Sequence, residues 1–125
     1  MKHFCALFFL CLTGCATMQW GEFDGQRSRT SDPDVYDVLV VAADGLANFD
    51  KRKQQRLKPG FHLLVVASAK KGNNGEVASI SFPINVKPCT RYSFVAKHRS
   101  RLDIYNWDLV PVGETTMAGC EAPQK

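Results

Sequence analysis

The sequence lacks any apolar run of the roughly 18 residues that a membrane-crossing helix requires. It also lacks a sustained 3.6-residue apolar period, so a helical bundle finds no support. Neither its charged fraction (22%) nor its apolar fraction (45%) departs from globular averages, which excludes disordered, collagenous and polytopic membrane classes. No Gly-x-Ser-x-Gly context is present to activate a serine, and no glycine-rich loop is present to cradle phosphate. The usual His/Cys spacings of a metal site are missing as well. With 125 residues, the chain has room for one domain.

What is there begins at the amino terminus. Lys2 precedes nine nearly unbroken apolar residues, 4–12, which would rise only about 13 Å as a helix against a hydrocarbon layer of about 30 Å. This is the pattern of a signal-peptide core. The sequence that follows, Leu12-Thr13-Gly14-Cys15, resembles the lipobox of bacterial lipoproteins. The resemblance implies cleavage before Cys15, a diacylglyceryl group on its thiol, and acylation of the new amino terminus. Ala16 in place of Asp implies, by the same resemblance to lipoproteins of diderm bacteria, an outer-membrane anchor facing the periplasm. An ordinary secretory signal cut nearby is the plainer alternative. The expected divisions are a signal peptide over residues 1–14, a lipidated amino terminus and tether over 15–33, and a folded domain over 34–125.

Processing also resolves the odd count of five cysteines. Cys5 and Cys11 leave with the signal and Cys15 carries lipid, so Cys89 and Cys120 remain. Two thiols in an oxidising compartment invite a bridge, which closes a long segment and stabilises the domain by about 3–4 kcal/mol in the loop-entropy account. A free catalytic thiol is the competing reading, but no His or base motif accompanies either cysteine. Loss of Lys2 leaves 15 Lys and Arg against 12 Asp and Glu, a mature charge of +3.

In the mature chain β signals recur. Residues 35–43 read as a strand buried on both faces, followed by an Asp44-Gly45 turn. Residues 46–57 could hold a turn or two of helix. Lys58-Pro59-Gly60 leads into an apolar run over 61–68, and Gly72-Asn73-Asn74-Gly75 is the strongest hairpin turn. Ile80, Phe82, Ile84 and Val86 alternate with polar residues, and Pro83 predicts an edge strand or a bulge. Further strands are expected over 90–98, with Tyr92, Phe94 and Ala96 on one face, and over 102–112. The sum is all-β, a small antiparallel sandwich of about six to seven strands.

The span from Lys58 to Cys120 resembles a group of small lipoproteins from Gram-negative bacteria. The matching features are Pro59-Gly60-Phe61-His62, Pro88-Cys89-Thr90-Arg91-Tyr92, Trp107 and Gly119-Cys120. The first of these is also similar to the Pro-Gly-x-His entry of PEGA-like surface modules. The resemblance implies an Ig-like or prealbumin-like sandwich at the envelope, and it transfers no catalytic residue.

His62 and His98 are the histidines left after processing; His62 is expected to face outward from the sheet, and no metal or cofactor is expected. Asp103, Asp108 and Glu114 have no context that marks them as glycosidase carboxylates. Three basic clusters stand out: Lys51, Arg52 and Lys53; Lys70 and Lys71; Lys97, Arg99 and Arg101. Converging at one end of the sandwich, they would form a cationic rim for an envelope protein or an anionic glycolipid or polymer; spread out, they are solvated loop charge. Nucleic acid is not an expected partner. Trp107 is read as core, and Tyr105 as either core or part of a sugar or peptide platform. The function expected from the sequence is a lipid-anchored, non-enzymatic envelope module. An envelope hydrolase, or an inhibitor of one, is the alternative.

Overall fold

The computed structural model describes residues 19–27 and 32–120, without the side chains of 49–51. The expected signal peptide and Cys15 lie outside the described residues, as does the side chain of Lys51. Nine strands are described: β1 (Gly21–Asp24), β2 (Val35–Tyr36), β3 (Val38–Ala43), β4 (Leu46–Arg52), β5 (Gln54–Leu57), β6 (Gly60–Ser68), β7 (Ser79–Val86), β8 (Thr90–His98) and β9 (Trp107–Thr116). They form two packed sheets. One runs β4-β3-β6-β7, all antiparallel; in the other, β8 lies between β9 on one flank and β1 and β2 on the other, with β5 beyond β1.

Two strands pass from one sheet to the other. The chain leaves β2 at Asp37 and continues as β3 in the opposite sheet, and it leaves β4 at Lys53 and continues as β5. The sheets are therefore joined along one side, like half a barrel, and open between β7 and β9. The two corners are tied together. Lys53 Nζ lies 3.0 Å from the Asp37 carboxylate, Gly25 N–H donates to the Lys53 carbonyl, and Val38 N–H donates to the Gly25 carbonyl. Gly25 sits so tightly in this seam that a Cβ there would come within 2.1 Å of the Val38 carbonyl oxygen.

The core lies between the sheets. Leu64 and Val66 of β6 and Val38 and Val40 of β3 are fully buried on one side. From the other, Phe23 stacks on Phe94 at 5.1 Å, and Phe82 of β7 reaches across to meet Phe94 edge-on at the same separation. Tyr92 fastens the crossover from β7 to β8, since its hydroxyl accepts the Lys87 N–H at 2.8 Å. Past the last strand, Cys120 is bonded to Cys89, with Cα atoms 5.5 Å apart.

Several expectations change. Residues 35–43 are not one strand buried on both faces, because the change of sheet at Asp37 breaks the run and the outward residues of β3 are half-exposed. Residues 46–57 are β4 and β5 instead of helix; their charges sit on edge strands, where solvent accepts them. The span read as a tether contains β1, whose Phe23 is fully buried, and β1 runs parallel to β8 in a sheet expected to be antiparallel throughout. The last strand starts at Trp107, because Asp103 organises a loop before it: its carboxylate accepts the N–H groups of Tyr105 and Asn106. Three other readings agree with the structure. Asp44 and Gly45 take φ of 51° and 85° in a two-residue hairpin turn, Pro83 lies on the edge strand β7, and Trp107 is buried.

Candidate functional site

Chain direction brings the basic segments to one end. β3 begins there, β4, β6 and β8 finish there, and the loops over residues 69–78 and 99–106 project from it. Lys53, Lys70, Lys71, Lys97, Arg99 and Arg101 all lie at or near this end. The cationic rim does not follow, because most of these charges meet a carboxylate: Lys53 meets Asp37, Lys97 meets Asp32, Arg99 meets Asp108 and Arg101 meets Asp34. Two of these carboxylates, Asp32 and Asp37, are held in the charged form by their partners. The Lys97 hydrogen bond and the Asp34 N–H hold Asp32 below the ordinary carboxylate range. Burial pushes Asp37 up, but the Arg27 N–H and the Lys53 ammonium outweigh it and lower its pKa. Arg52 is exposed.

Between the two loops lies an open cleft of about 230 Å³, lined among others by Lys71, Asn73, Glu76, Arg101 and Tyr105. Lys70 forms its floor. Its ammonium donates to the carbonyls of Ser100, Arg101 and Asp103 at 3.3–3.4 Å and stands 6.0 Å from the Tyr36 ring centre. Lys70 therefore buckles the second loop to the first and is occupied in doing so. Lys71 is exposed and pairs with no carboxylate among the described residues. Tyr105 is 71% exposed, and Arg101 touches Asp34 through Nε alone, which leaves the outer face of its guanidinium to solvent. The two carboxylates of the lining are engaged by their own loops, Glu76 by the Asn74 N–H and Asp103 by those of Tyr105 and Asn106. This leaves a cation, an amide, a partly engaged guanidinium and an open aromatic ring, which suit an anionic, hydroxyl-rich chain better than an apolar ligand.

Beneath the cleft is a pairing that sequence spacing could not reveal, since its members are 30 positions apart. Ser68 Oγ and His98 Nε2 lie 2.6 Å apart, with His98 packed against Tyr36 and Trp107. Burial, assisted by the Lys70 charge, lowers the His98 pKa and keeps the ring neutral. These are the side chains of a nucleophile and its base, but Ser68 is fully buried and His98 is 2% exposed, so neither meets solvent as it stands.

His62 lies at the opposite end. Its Nδ1 is 2.5 Å from the Asp44 carboxylate and its Nε2 is 2.6 Å from the Lys58 carbonyl. Both neighbours are acceptors, so the ring donates from both nitrogens and is the imidazolium. Burial pulls its pKa down, but Asp44 and the Lys58 carbonyl outweigh this and raise it. The side chain is 13% exposed, turned toward its own turn and not outward from the sheet. Among the described residues, no three His, Cys, Asp or Glu side chains are placed to hold a metal ion. No helix among them is long and apolar enough to cross a membrane. Comparison of the chain with protein-family models, with curated proteins and with solved structures finds no match.

Proposed function

We propose that this protein is an exported, lipid-anchored β module that binds an anionic polymer of the bacterial envelope at its loop end and does not alter it chemically. The observation that carries this reading is the placement of the cleft. Lys71, Arg101 and Tyr105 stand open around it, at the end of the molecule away from the point where the amino-terminal chain enters. That entry is marked by Trp20, whose carbonyl accepts the Cys89 N–H beside the disulfide. An anchor on Cys15 would thus sit at one end and the cleft at the other, facing away from the membrane that holds it. The Cys89–Cys120 bridge agrees with an oxidising compartment such as the periplasm. An Ig-like or prealbumin-like sandwich of the PEGA kind is the fold reading that accompanies the proposal, and the Tyr92 tie between sheets supports it.

Titration of the purified lipidated protein with polyanionic envelope fractions tests the proposal. Binding is expected to weaken as salt is raised. Lys71→Glu and Tyr105→Ala are each expected to weaken it about tenfold, a loss of about 1.4 kcal/mol. Binding that ignores salt and both substitutions, or no binding, overturns the proposal. The anchor is tested separately: Cys15→Ala should remain unlipidated and leave the membrane fraction on washing.

A further inference from the structure

The strands β3, β6 and β7 are adjacent and contain no Asp, Glu, Lys or Arg. Because Leu64 and Val66 turn into the core, strand alternation sends Phe61, Leu63 and Val65 to the outer face of the sheet. Phe61 is 70% exposed and Leu63 is 47% exposed, with Pro83 directly across from Leu63. The outer side of the other sheet is different in kind: β8 carries Arg91 and Lys97, and β1 carries Glu22 paired with Arg91 at 3.1 Å. The outer face is therefore apolar along β6, with uncharged Ser81, Pro83 and Asn85 of β7 beside it and the charges of this sheet confined to β4 at its far edge, whereas the outer face of the other sheet is ionic through its middle.

The position of the apolar face selects its occupant. Gly21 packs against Val86 and the Lys87 carbonyl, Val86 pairs with Gly60, and Phe61 follows Gly60. The amino-terminal chain therefore enters at the same end of the molecule as Phe61, from the opposite sheet. Trp20 is five positions beyond Cys15, a span that reaches only about 17 Å fully extended. Given the anchor proposed above, on which this inference rests, the Phe61 end cannot stand away from the bilayer. We infer that Phe61 and Leu63 insert into the lipid surface, so that the domain leans on the uncharged β6–β7 side and not on the ionic sheet. Lys58, exposed two positions before Gly60, lies at the same end, where anionic headgroups would attract it. Edge-to-edge pairing with a second copy is disfavoured, because Pro83 withholds a donor from the free edge of β7.

The test uses the full chain, lipidated and reconstituted into phosphatidylethanolamine–phosphatidylglycerol vesicles. A photoreactive benzoylphenylalanine replaces Phe61 in one sample and Leu102 in another; Leu102 is 97% exposed, in the loop at the opposite end. After flotation and irradiation, position 61 is expected to give about tenfold more phospholipid adduct than position 102. Equal or absent lipid adducts in protein that floats would overturn the insertion and leave the anchor standing. Cross-linking of position 61 to a second copy would overturn it in favour of a dimer. Protein that fails to float, with an unmodified Cys15 by mass, would remove the anchor and the insertion with it.

Discussion

His62 and Asp44 hold the β3–β4 turn against the start of β6 through a contact that depends on charge. His62 is more basic folded than free, so its contribution is complete below the ordinary value of 6.5 and fades as pH rises through the raised value. Asp44 is held below 3.8 by the His62 and Leu63 hydrogen bonds, so its contribution is lost as pH falls through that lowered value. His98 works against His62: its lowered pKa means that stability is lost as pH falls below 6.5. Thermal melting should therefore find His62→Gln less stable than the parent at pH 5.5, with the gap narrowing by pH 8.5. The variant, left with His98, should itself melt lower on acidification; a gap that is constant or widens with pH would refute the charged pair. Phe23 offers a second measurement. It is stacked on Phe94 and has no exposure, and Phe23→Ala should cost about 3–5 kcal/mol in denaturant unfolding, whereas a residue in a tether would cost almost nothing. The sequence assigns it to the tether, as one of the residues that could dock on the folded body, because a single aromatic among Gly21, Glu22 and Asp24 carries no period.

At the scale of elements, strands with several alternating apolar residues were readable and strands that change sheet were not. Ile84 and Val86 of β7 and Tyr92, Phe94 and Ala96 of β8 go inward as their alternation requires. The corners at Asp37 and Lys53 carry charges that look like loop residues until their partners across the seam are known. Parallel pairing of β1 with β8 leaves no local mark either, since its hydrogen-bond partners lie about 70 positions away. The seam itself predicts the behaviour of Gly25. An alanine there meets the backbone of Val38 at 2.1 Å and cannot move without breaking the Val38–Gly25 hydrogen bond. Gly25→Ala should destabilise the domain by about 2–3 kcal/mol in the same unfolding measurement. Gly113→Ala, where an added methyl meets nothing within 4 Å, is the control.

For the molecule as a whole, the candidate site was legible in its ingredients and not in its balance. The basic loops do gather at one end, but Asp32, Asp34, Asp37 and Asp108 neutralise much of their charge through contacts that depend on long-range register. The bridge was legible, since two cysteines outlast the expected processing. It closes a segment of 31 positions that contains β8 and β9, and Cys89→Ser/Cys120→Ser should lower unfolding stability by about 3–4 kcal/mol. A double variant as stable as the parent would show that the native packing suffices alone.

The central place of β8 has a consequence for the order of events during synthesis. Its flanking strands come from residues 21–36 on one side and 107–116 on the other, so the first and last parts of the chain meet on the same strand. A nascent chain that ends before β8 has no partner for β2, only β5 beside β1, and an incomplete bed for Phe23. Non-local pairing of this kind makes folding slow and late. One sheet, made of residues 38–86, is complete in the chain before β8 is added, and the other closes only once β9 has followed.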